Sequence, residues 1–598
     1  MTHGLPYEIL AIIAADLPSE DQINCLHVSR SWKTAFMRAI YRIVHIHSRH
    51  QFRLFYRTLK ESESRHCLGN EVRELYISSM VGFCRDEFET LPRLCPLLTV
   101  LDFNKKLWNH LRISTAMENW KHLKYLPQMP LYRQTPLREY LLNTFGTCFT
   151  KLRMDIFRYR QWKDLLQRLP HLEQLIIENR GSEEDEGYET MSYPHITLAE
   201  MEDIHATLPV LQAFALWGVY LGGELPKHIT PSRSIRRLDI ETVYEQLPMT
   251  LPYFSQKYTF IEELQIEVGL EHDASFEEFQ DVVEPQFLSW MEKCNSLRVF
   301  YHPPSLIDGD ILLPQVEALD TLSEIGAPIT KLFIYDEICY SVLASSGVFS
   351  ETLCAAELQL LNWISLEDTL DALSGCSCLA HLMVDVFDNV DIGSVLRHCR
   401  SLKTLYIETH DIHDSSDGTS LAGHGLENLS LEAEYIDPNV FDCLSSSCPQ
   451  LRVLRCSYNE INAPRAVFIS LPNAKLEDLV VVSRSNIVLF NLQQTDKAER
   501  VLRRREKYYG EALEPENNGW SRWYHATSQF GQLKKFMRLD DIEDVASEIF
   551  NGRQKDVILV QCRSTRTFEL ITTYDKLISM RKRLNTRFNV FERKNLLE

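Results

Sequence analysis

The chain has 598 residues, and its 63 Lys and Arg residues against 83 Asp and Glu residues give a formal net charge of −20 at pH 7. This charge argues against a general binder of nucleic acids or acidic membranes, whose surface would be basic. The hydrophobic share of 44% is ordinary for a chain that buries a core, which excludes disorder throughout. No apolar run reaches the roughly 20 residues of a membrane span. The 15 scattered cysteines indicate reduced thiols, so we expect a cytoplasmic or nuclear protein.

The first residues predict a compact helical unit. Pro6 suits the first turn of a helix, where its missing N–H costs nothing. The apolar residues that follow recur at steps of three and four and form one stripe: Ile9, Leu10, Ile13 and Leu17. A second helix opens at Ser19, and a third carries Trp32 and Phe36. Because three helices in about 45 residues supply only a marginal core, we expect this unit to leave an apolar face for a partner.

Beyond this unit the chain repeats an L-x-x-L-x-L core, in which the apolar positions hold Leu, Ile, Val or Phe. Looser copies begin at Val72, Leu98, Leu172 and Leu211, and residues 104–170 show no clear pattern. Stricter copies begin at Ile235, Ile261, Ile329, Leu379, Leu402, Leu426, Leu451 and Leu476. From Leu379 onward the starts are 23 to 25 residues apart, which is the period of leucine-rich repeats.

The spacing has a physical explanation. The L-x-L part alternates with period two, which predicts a short strand with its leucines on one face. The other residues return through a turn and a helix, such as 438–448, that covers those leucines. One such unit cannot bury its apolar face alone, so stacked copies share a continuous core. The units resemble the cysteine-containing subclass of leucine-rich repeats, with Cys95, Cys294, Cys399 and Cys448 placed two or three residues before a repeat.

The third, fifth and seventh positions of each repeat should point away from the core. In the ten units starting at 235, 261, 297, 329, 355, 379, 402, 426, 451 and 476, acidic residues outnumber basic ones there. We therefore predict that this face binds a basic or apolar protein substrate, and the alternative is an acidic face that is merely solvated. The candidate substrate-binding residues are Asp239, Glu241, Glu263, Glu267, Tyr335, Asp385, Tyr406, Glu408 and Glu432.

Three segments outside the regular repeats carry strong charge. Residues 181–189 hold five carboxylates and predict an acidic surface loop, whereas 497–507 and 576–594 are basic. Solvated helix faces are the simplest interpretation of the basic segments, with an acidic partner or nuclear import as the alternative. Because residues 557–562 predict a buried strand, the C-terminal region should be a mixed cap rather than a tail.

The sequence lacks the motifs of common enzymes. The phosphate-binding GxxxxGK[ST], the zinc-binding HExxH and the hydrolase GxSxG patterns do not occur, and the clustered histidines lack cysteine partners at metal spacing. We therefore predict a protein that is not an enzyme, with no catalytic residue, no metal and no cofactor.

The opening of the chain resembles an F-box. The resemblance covers roughly residues 4–45 and rests on Leu5-Pro6-Tyr7-Glu8-Ile9-Leu10, on Asp21 before the second helix, and on Val28-Ser29-Arg30-Ser31-Trp32. One departure is Gln22, where the family usually has Leu, an apolar role that Ile23 can take. The resemblance implies an α/β organisation of three parts: a three-helix F-box at 1–45, a horseshoe-shaped repeat solenoid with its N-terminal cap at 46–483, and irregular repeats with a C-terminal cap at 484–598.

The resemblance also implies a role in ubiquitin transfer. F-box helices dock on a Skp-type adaptor, which is joined to a cullin scaffold and a RING protein, while the repeats hold the protein substrate. The positions that match adaptor-facing or box-core residues are Leu5, Pro6, Ile9, Ile13, Leu17, Val28 and Trp32. Two alternatives stay open: a scaffold of the same build that does not degrade its partner, and a repeat protein that regulates a GTPase and binds no adaptor.

Overall fold

The computed structural model describes residues 5–17, 19–46, 49–63, 67–77, 85–103, 118–125, 136–155, 163–178, 195–269, 276–301, 306–307, 310–311, 315–335, 349–360, 366–386, 389–415, 423–458, 466–483, 487–494, 521–529, 532–539 and 556–571. The predicted acidic loop at 181–189 and the basic segments at 497–507 and 576–594 lie outside these residues. The chain divides into a first unit, residues 1–297 with 304–314, and a second unit, residues 298–303 with 315–598.

The first unit begins with three helices: α1 (Tyr7–Asp16), α2 (Ser19–Cys25) and α3 (Arg30–Arg42). The Ser29 side chain caps α3 by accepting a hydrogen bond from the Trp32 N–H at 3.3 Å, which satisfies one of the free donors at a helix start. The core of these helices consists of Leu10, Ala14, Ala35 and Phe36. This small core holds the three helices together.

The remaining helices of the first unit alternate with short strands, as the repeat pattern predicts. These helices are α4 (Arg49–Ser62), α5 (Arg85–Leu94), α6 (Pro136–Phe145), α7 (Lys163–Leu166), α8 (Leu198–Thr207), α9 (Leu247–Lys257) and α10 (Phe276–Met291). The strands are β1 (Ile43–Ile46), β2 (Glu74–Ile77), β3 (Val100–Asp102), β4 (Lys151–Asp155), β5 (Gln174–Glu178), β6 (His195–Thr197), β7 (Ala213–Trp217), β8 (Tyr220–Gly222), β9 (Arg237–Val243) and β10 (Glu263–Gly269).

Parallel pairing keeps equivalent repeat positions side by side in the first unit. Strands β1, β2 and β3 pair in order, and β4, β5, β7, β9 and β10 do the same. The fourth repeat position thus forms a buried row of Leu152, Leu175, Phe214, Leu238 and Leu264. Since each strand alternates its side chains between two faces, this register gives the repeats one common core.

The stretch at 104–170, which had no clear pattern in the sequence, contains two further repeats. Tyr125 forms parallel bridges with both Val100 and Lys151, so one repeat begins at Leu123 and the next at Phe149. Both of these first apolar positions are buried. The repeat series therefore continues through the described part of this region.

The second unit repeats the same arrangement. Its regular strands are β11 (Val299–Tyr301), β14 (Lys331–Tyr335), β15 (Ala355–Leu360), β16 (His381–Val386), β17 (Val390–Asp391), β18 (Thr404–His413), β19 (Asn428–Ile436), β20 (Val453–Tyr458) and β21 (Ala466–Ser483). Its helices are α11 (Gln315–Glu324), α12 (Leu366–Leu373), α13 (Ile392–His398) and α14 (Pro438–Ser447). The predicted helix after Pro438 is confirmed, with Val440, Phe441 and Leu444 buried. Strands β12 (Leu306–Ile307) and β13 (Asp310–Ile311), which belong to the first unit, form a separate antiparallel pair.

The register of the second unit corrects one repeat boundary. The fourth position runs through Leu332, Ala356, Leu382, Leu405, Leu429, Leu454 and Leu479. The pairing of Leu332 with Ala356 means that this repeat begins at Leu353, so the start assigned at 355 is wrong. Ala356 is a small residue at a position that normally holds Leu, which hid the true start from the sequence pattern.

The C-terminal region adds four strands: β22 (Ile487–Gln494), β23 (Ser521–Gln529), β24 (Gln532–Leu539) and β25 (Asp556–Ile571). Strand β25 pairs in parallel with β21 and with β22, and β22, β23 and β24 pair antiparallel in order. The strand predicted at 557–562 is confirmed as part of β25, with Cys562 buried.

The cysteines that precede the repeats are part of the core. Cys95, Cys294, Cys399 and Cys448 are all buried, and burial raises the pKa of each thiol to about 12. Thiols in this state are unreactive at neutral pH because the thiolate is the nucleophilic form. These cysteines therefore act as small packing residues. Among the described helices, none has both the length and the apolar character of a membrane span.

Candidate protein-interaction surfaces

The N-terminal helices divide the predicted adaptor-facing residues into two groups. Leu5, Ile9 and Val28 are 48%, 43% and 60% exposed, and Pro6, the N-cap of α1, is exposed too. By contrast, Ile13, Leu17 and Trp32 are half-buried and pack against the core of the three helices. Only the first group is available to a partner, whereas the second group supports the helices.

Two further exposed apolar side chains in this unit, Tyr7 and Ile12, were not predicted as partner contacts, and Ile23, to which the sequence analysis gave the apolar role of position 22, is exposed as well. Ile9 and Ile12 are three residues apart on α1, so they share a face. Fourteen large apolar side chains are strongly exposed in the described residues, and six of them lie between Leu5 and Val28. We call these six residues (Leu5, Tyr7, Ile9, Ile12, Ile23 and Val28) the N-terminal apolar group. Such a concentration is typical of a protein-binding surface.

The Gln22 side chain forms hydrogen bonds that a leucine at this position could not form. Its side-chain amide donates hydrogen bonds to the Ala14 carbonyl at 2.7 Å and to the Leu17 carbonyl at 2.8 Å. These carbonyls lie at the C-terminal end of α1, where helix carbonyls lack partners within the helix. The Gln22 side chain therefore joins α2 to the end of α1 through hydrogen bonds.

The three helices are also anchored to the first repeats. The Arg38 guanidinium on α3 pairs with Glu71 at 2.9 Å, donates to the Tyr7 hydroxyl at 2.9 Å and lies over the Tyr7 ring. The hydrogen bond to Tyr7 and the charge of Glu71 raise the pKa of Arg38. In addition, the backbone N–H of Arg73 donates to the Arg42 carbonyl. These contacts hold the helices against the start of the sheet in the first unit.

Internal contacts occupy part of the predicted acidic face of the first unit. Asp239 is only 6% exposed and accepts a hydrogen bond from the Trp217 indole at 2.9 Å. The Arg153 guanidinium lies over the Trp217 ring and pairs with the buried Glu178 at 2.6 Å. Little of the Asp239 carboxylate is thus accessible to a partner.

The other predicted residues of this face differ in exposure. Glu263 lies 3.6 Å from the Arg237 guanidinium, so its charge is partly compensated. Glu241 and Glu267 are exposed and lie opposite each other on β9 and β10. In the first unit, these two side chains are therefore the predicted acidic residues most open to solvent.

The second unit brings its predicted acidic residues together. Asp385, Glu408 and Glu432 occupy the seventh repeat position on β16, β18 and β19 and lie side by side in register. The Tyr406 hydroxyl is within hydrogen-bonding distance of both Glu408 (2.9 Å) and Glu432 (3.0 Å). We call these four residues the acidic row. Neighbouring strands are about 4.8 Å apart, so the carboxylates follow one another at short intervals.

Tyr406 is a structural member of this row. It is 2% exposed, and its burial, followed by the charges of Glu432 and Glu408, raises the pKa of its phenol. The phenol therefore stays protonated and remains a hydrogen-bond donor to the carboxylates. Tyr335, another predicted substrate contact, ends β14 opposite Gln359.

The two surfaces differ in the groups that they present. No set of three or more His, Cys, Asp or Glu side chains suited to a metal ion occurs within the described ranges. The N-terminal apolar group offers apolar contact area, and the acidic row offers closely spaced negative charge.

Comparison with known proteins gives limited matches. No family model matches the sequence, and no curated protein matches it. Among solved structures, the mouse RP105/MD-1 complex is similar with 12% identity and a TM-score of 0.33, covering 70% of this chain and 78% of that chain. A second similar structure is the leucine-rich-repeat ectodomain of the plant membrane receptor kinase GASSHO1/SCHENGEN3 from Arabidopsis thaliana, in complex with CASPARIAN STRIP INTEGRITY FACTOR 2. It has 13% identity and a TM-score of 0.25, and the match covers 70% of this chain and 54% of that chain.

Likeness at this level says nothing about the partners of this protein. The repeat architecture rests on the strand register itself, in which the L-x-x-L-x-L positions align from strand to strand. The protein is an α/β protein with a leucine-rich-repeat-like array of parallel strands.

Proposed function

We propose that this protein is the substrate-recognition subunit of a cullin–RING ubiquitin ligase. Its N-terminal helices would bind a Skp-type adaptor, and its repeats would hold a protein substrate. The observation that supports this most is the exposure of Leu5, Ile9 and Val28, because these residues match the F-box pattern and yet contribute little to the core of their own helices. A partner that covers exposed apolar side chains of this size stabilises the complex, because it removes apolar surface from water.

The proposed mechanism is proximity, and the chain contributes no catalytic residue to it. Holding a target lysine near a loaded conjugating enzyme converts ubiquitin transfer into an effectively intramolecular step. The anchoring of α3 by Arg38 to Glu71 would fix the adaptor relative to the first repeats. A rigid link favours transfer because it restricts the positions that the substrate can adopt.

The substrate side of the proposal rests on the acidic row. A series of carboxylates on neighbouring strands attracts a basic segment. Such charges set the orientation of that segment more strongly than they raise its binding affinity. The proposed location is the cytoplasm or the nucleus, and the described cysteines are free thiols, in keeping with a reducing compartment.

Adaptor binding is tested by point variants of the full chain. The variant I9D/V28D places charges in the N-terminal apolar group, whereas V210D changes an apolar residue of similar exposure elsewhere in the first unit. We expect I9D/V28D to weaken co-purification with a Skp-type adaptor by about 2 kcal/mol or more, the magnitude of an interface hot spot. V210D should bind the adaptor like the unmodified chain. Failure of the unmodified chain to bind the adaptor would refute the ligase assignment.

Point variants suit this test better than removal of residues 1–45. Strand β1 begins at Ile43, and its backbone pairs with β2. Truncation at residue 45 would thus expose the edge of the sheet, and the loss of adaptor binding could then reflect a damaged first unit.

A scaffold that does not degrade its partner fits the same two surfaces, since a binding array requires no ubiquitin transfer. The half-life of a captured partner in cells distinguishes the two functions. For a ligase subunit, I9D/V28D should lengthen that half-life while capture persists. For a scaffold, the half-life should stay the same.

A further inference from the structure

The first unit contains a basic pocket at the edge where its strands begin. Its volume is about 440 Å³, and it is lined by Arg73, Leu97, Thr99, Lys121, His122 and Lys124, with Cys148 beside them. Arg73 directly precedes β2 and Thr99 directly precedes β3. Lys124 precedes Tyr125, the residue that bridges β3 and β4. The pocket therefore spans the entry points of successive repeats.

Strand pairing places these residues next to one another. The Val100 N–H donates to the Arg73 carbonyl at 3.0 Å, the Lys124 N–H donates to the Thr99 carbonyl at 2.7 Å, and the Thr150 N–H donates to the Lys124 carbonyl at 3.0 Å. The lining residues come from repeats about 25 residues apart, which is the usual repeat length. Because the backbone fixes their order, the pocket is part of the sheet framework.

The charge of the pocket opposes that of the whole protein. Lys121, His122 and Lys124 are exposed, and none of them forms an ion pair with a carboxylate in the described part of the chain. Residues 91–170 carry 14 Lys and Arg against 5 Asp and Glu, in a chain whose net charge is −20. The pocket thus lies within a basic region of an acidic protein.

We propose that this pocket binds an acidic, carboxylate-rich segment of a protein partner, a substrate class that rests on the proposed function. The two lysines provide flexible point charges, and Leu97 with the lysine stems provides apolar contact area. Charge complementarity of this kind steers an acidic segment toward the pocket.

Two features of the lining bear on the kind of acidic partner, and the second favours a protein segment over nucleic acid. The Arg73 guanidinium donates to the carbonyls of Asn70 at 2.6 Å and Val72 at 3.3 Å, so its planar fork is turned toward the backbone. The Arg73 fork is therefore less available for the bidentate contact that carboxylates and phosphates both accept, and the two lysines supply the point charges of the pocket. His122 is the single aromatic ring among the lining residues, whereas single-stranded nucleic acids bind to stacked aromatic platforms.

The experiment measures binding of a short fluorescein-labelled polyglutamate peptide to the full chain by fluorescence anisotropy. K121E/K124E reverses two charges in the pocket, and K227E/R233E reverses two exposed charges elsewhere in the first unit. We expect K121E/K124E to weaken binding roughly tenfold at low salt, because it removes two attractions and adds two repulsions. K227E/R233E should stay within about twofold of the unmodified chain, and added salt should weaken binding.

A milder pair keeps the test valid if charge reversal perturbs folding. K121Q/K124Q retains the size of exposed side chains, so we expect it to fold normally and to bind polyglutamate about threefold more weakly. Equal loss in both charge-reversed variants, or an oligothymidylate that binds the pocket more tightly than polyglutamate, would overturn the proposal.

Adaptor binding is measured on the same variants to separate the two proposals. We expect K121E/K124E to co-purify with the Skp-type adaptor as the unmodified chain does. A chain that binds polyglutamate in the pocket but ignores the adaptor would refute the ligase assignment and leave the pocket assignment standing.

Discussion

The solvent-facing sides of the sheets in the two units follow the same repeat template but use their acidic residues differently. At the seventh repeat position of the first unit, Glu178 is buried and paired with Arg153, whereas Glu241 and Glu267 are exposed and lie opposite each other. In the second unit, Asp385, Glu408 and Glu432 stand in a row on neighbouring strands. Equivalent positions in a repeat therefore do not offer equal charge to a partner, because the residues on the adjacent strands decide how much of that charge is compensated.

The core is the feature that the two units should share, and its loss should give the largest effect. Leu238 and Leu429 are both fully buried at the fourth repeat position. We expect L238A and L429A each to lower the free energy of unfolding by about 2–5 kcal/mol, since each leaves a cavity in a packed core. Urea denaturation measures both. If the losses in L238A and L429A differ by more than the width of that range, the two cores are not equivalent.

The buried ion pair of the first unit should give the next largest effect. The Glu178 side chain is 1% exposed and Arg153 is 27% exposed. We expect R153M to lower the free energy of unfolding by about 3 kcal/mol, because it leaves a buried carboxylate without its cation. R452M is the matched control in the second unit, because Arg452 pairs with Glu477 at the surface. This substitution should lower the free energy of unfolding by less than about 1 kcal/mol. Equal losses in the two variants would mean that burial does not distinguish these pairs.

The acidic row should contribute less to the stability of the protein when the Tyr406 hydroxyl is removed and when the pH becomes alkaline. We expect Y406F to lower the free energy of unfolding by about 1–3 kcal/mol. The change removes the buried hydroxyl that donates to Glu408 and Glu432, and a buried acceptor without its donor is destabilising. The folded protein raises the pKa of Tyr406 above its ordinary value of 10.0. Stability from this group is thus complete below pH 10 and declines as the pH rises further, because only the unfolded chain then releases the proton.

Denaturation at several pH values measures this effect. Between pH 10 and 11, Y406F should lose stability less steeply than the unmodified chain. The same slope in both proteins would contradict the assignment of a raised pKa to Tyr406. Y435F is a suitable control because Tyr435 is exposed.

The smallest effect concerns the binding of a basic partner. We expect E408Q/E432Q to weaken the binding of a fluorescent polylysine peptide about threefold at low salt, as two exposed ion pairs would. E241Q/E267Q makes the same change on β9 and β10 of the first unit, where the carboxylates also lie opposite each other. Fluorescence anisotropy compares the two variants. A larger loss in E241Q/E267Q would place the basic partner on the first unit instead.

The sequence alone determined the repeat period, the strands and their buried positions. These features depend on alternation within a few residues, so the pattern around Leu429 or Leu454 is sufficient to predict them. It failed where a small residue replaced Leu, as at Ala356, and in the stretch around Leu123, because single substitutions and short strands weaken a local pattern. The sequence also identified the N-terminal apolar residues, but it did not separate Ile9, which is exposed, from Ile13, which supports the core.

Tertiary structure decided which charges a partner can reach. Contact with Trp217, which lies 22 residues earlier in the chain, makes Asp239 inaccessible. Tyr406 gains Glu432 as a second carboxylate partner through pairing of β18 with β19. The basic pocket likewise joins Arg73 to Lys124 across successive repeats. Such neighbours are set by the pairing of strands that are distant in sequence, and the energy of a charge depends on those neighbours more than on its own position in the repeat.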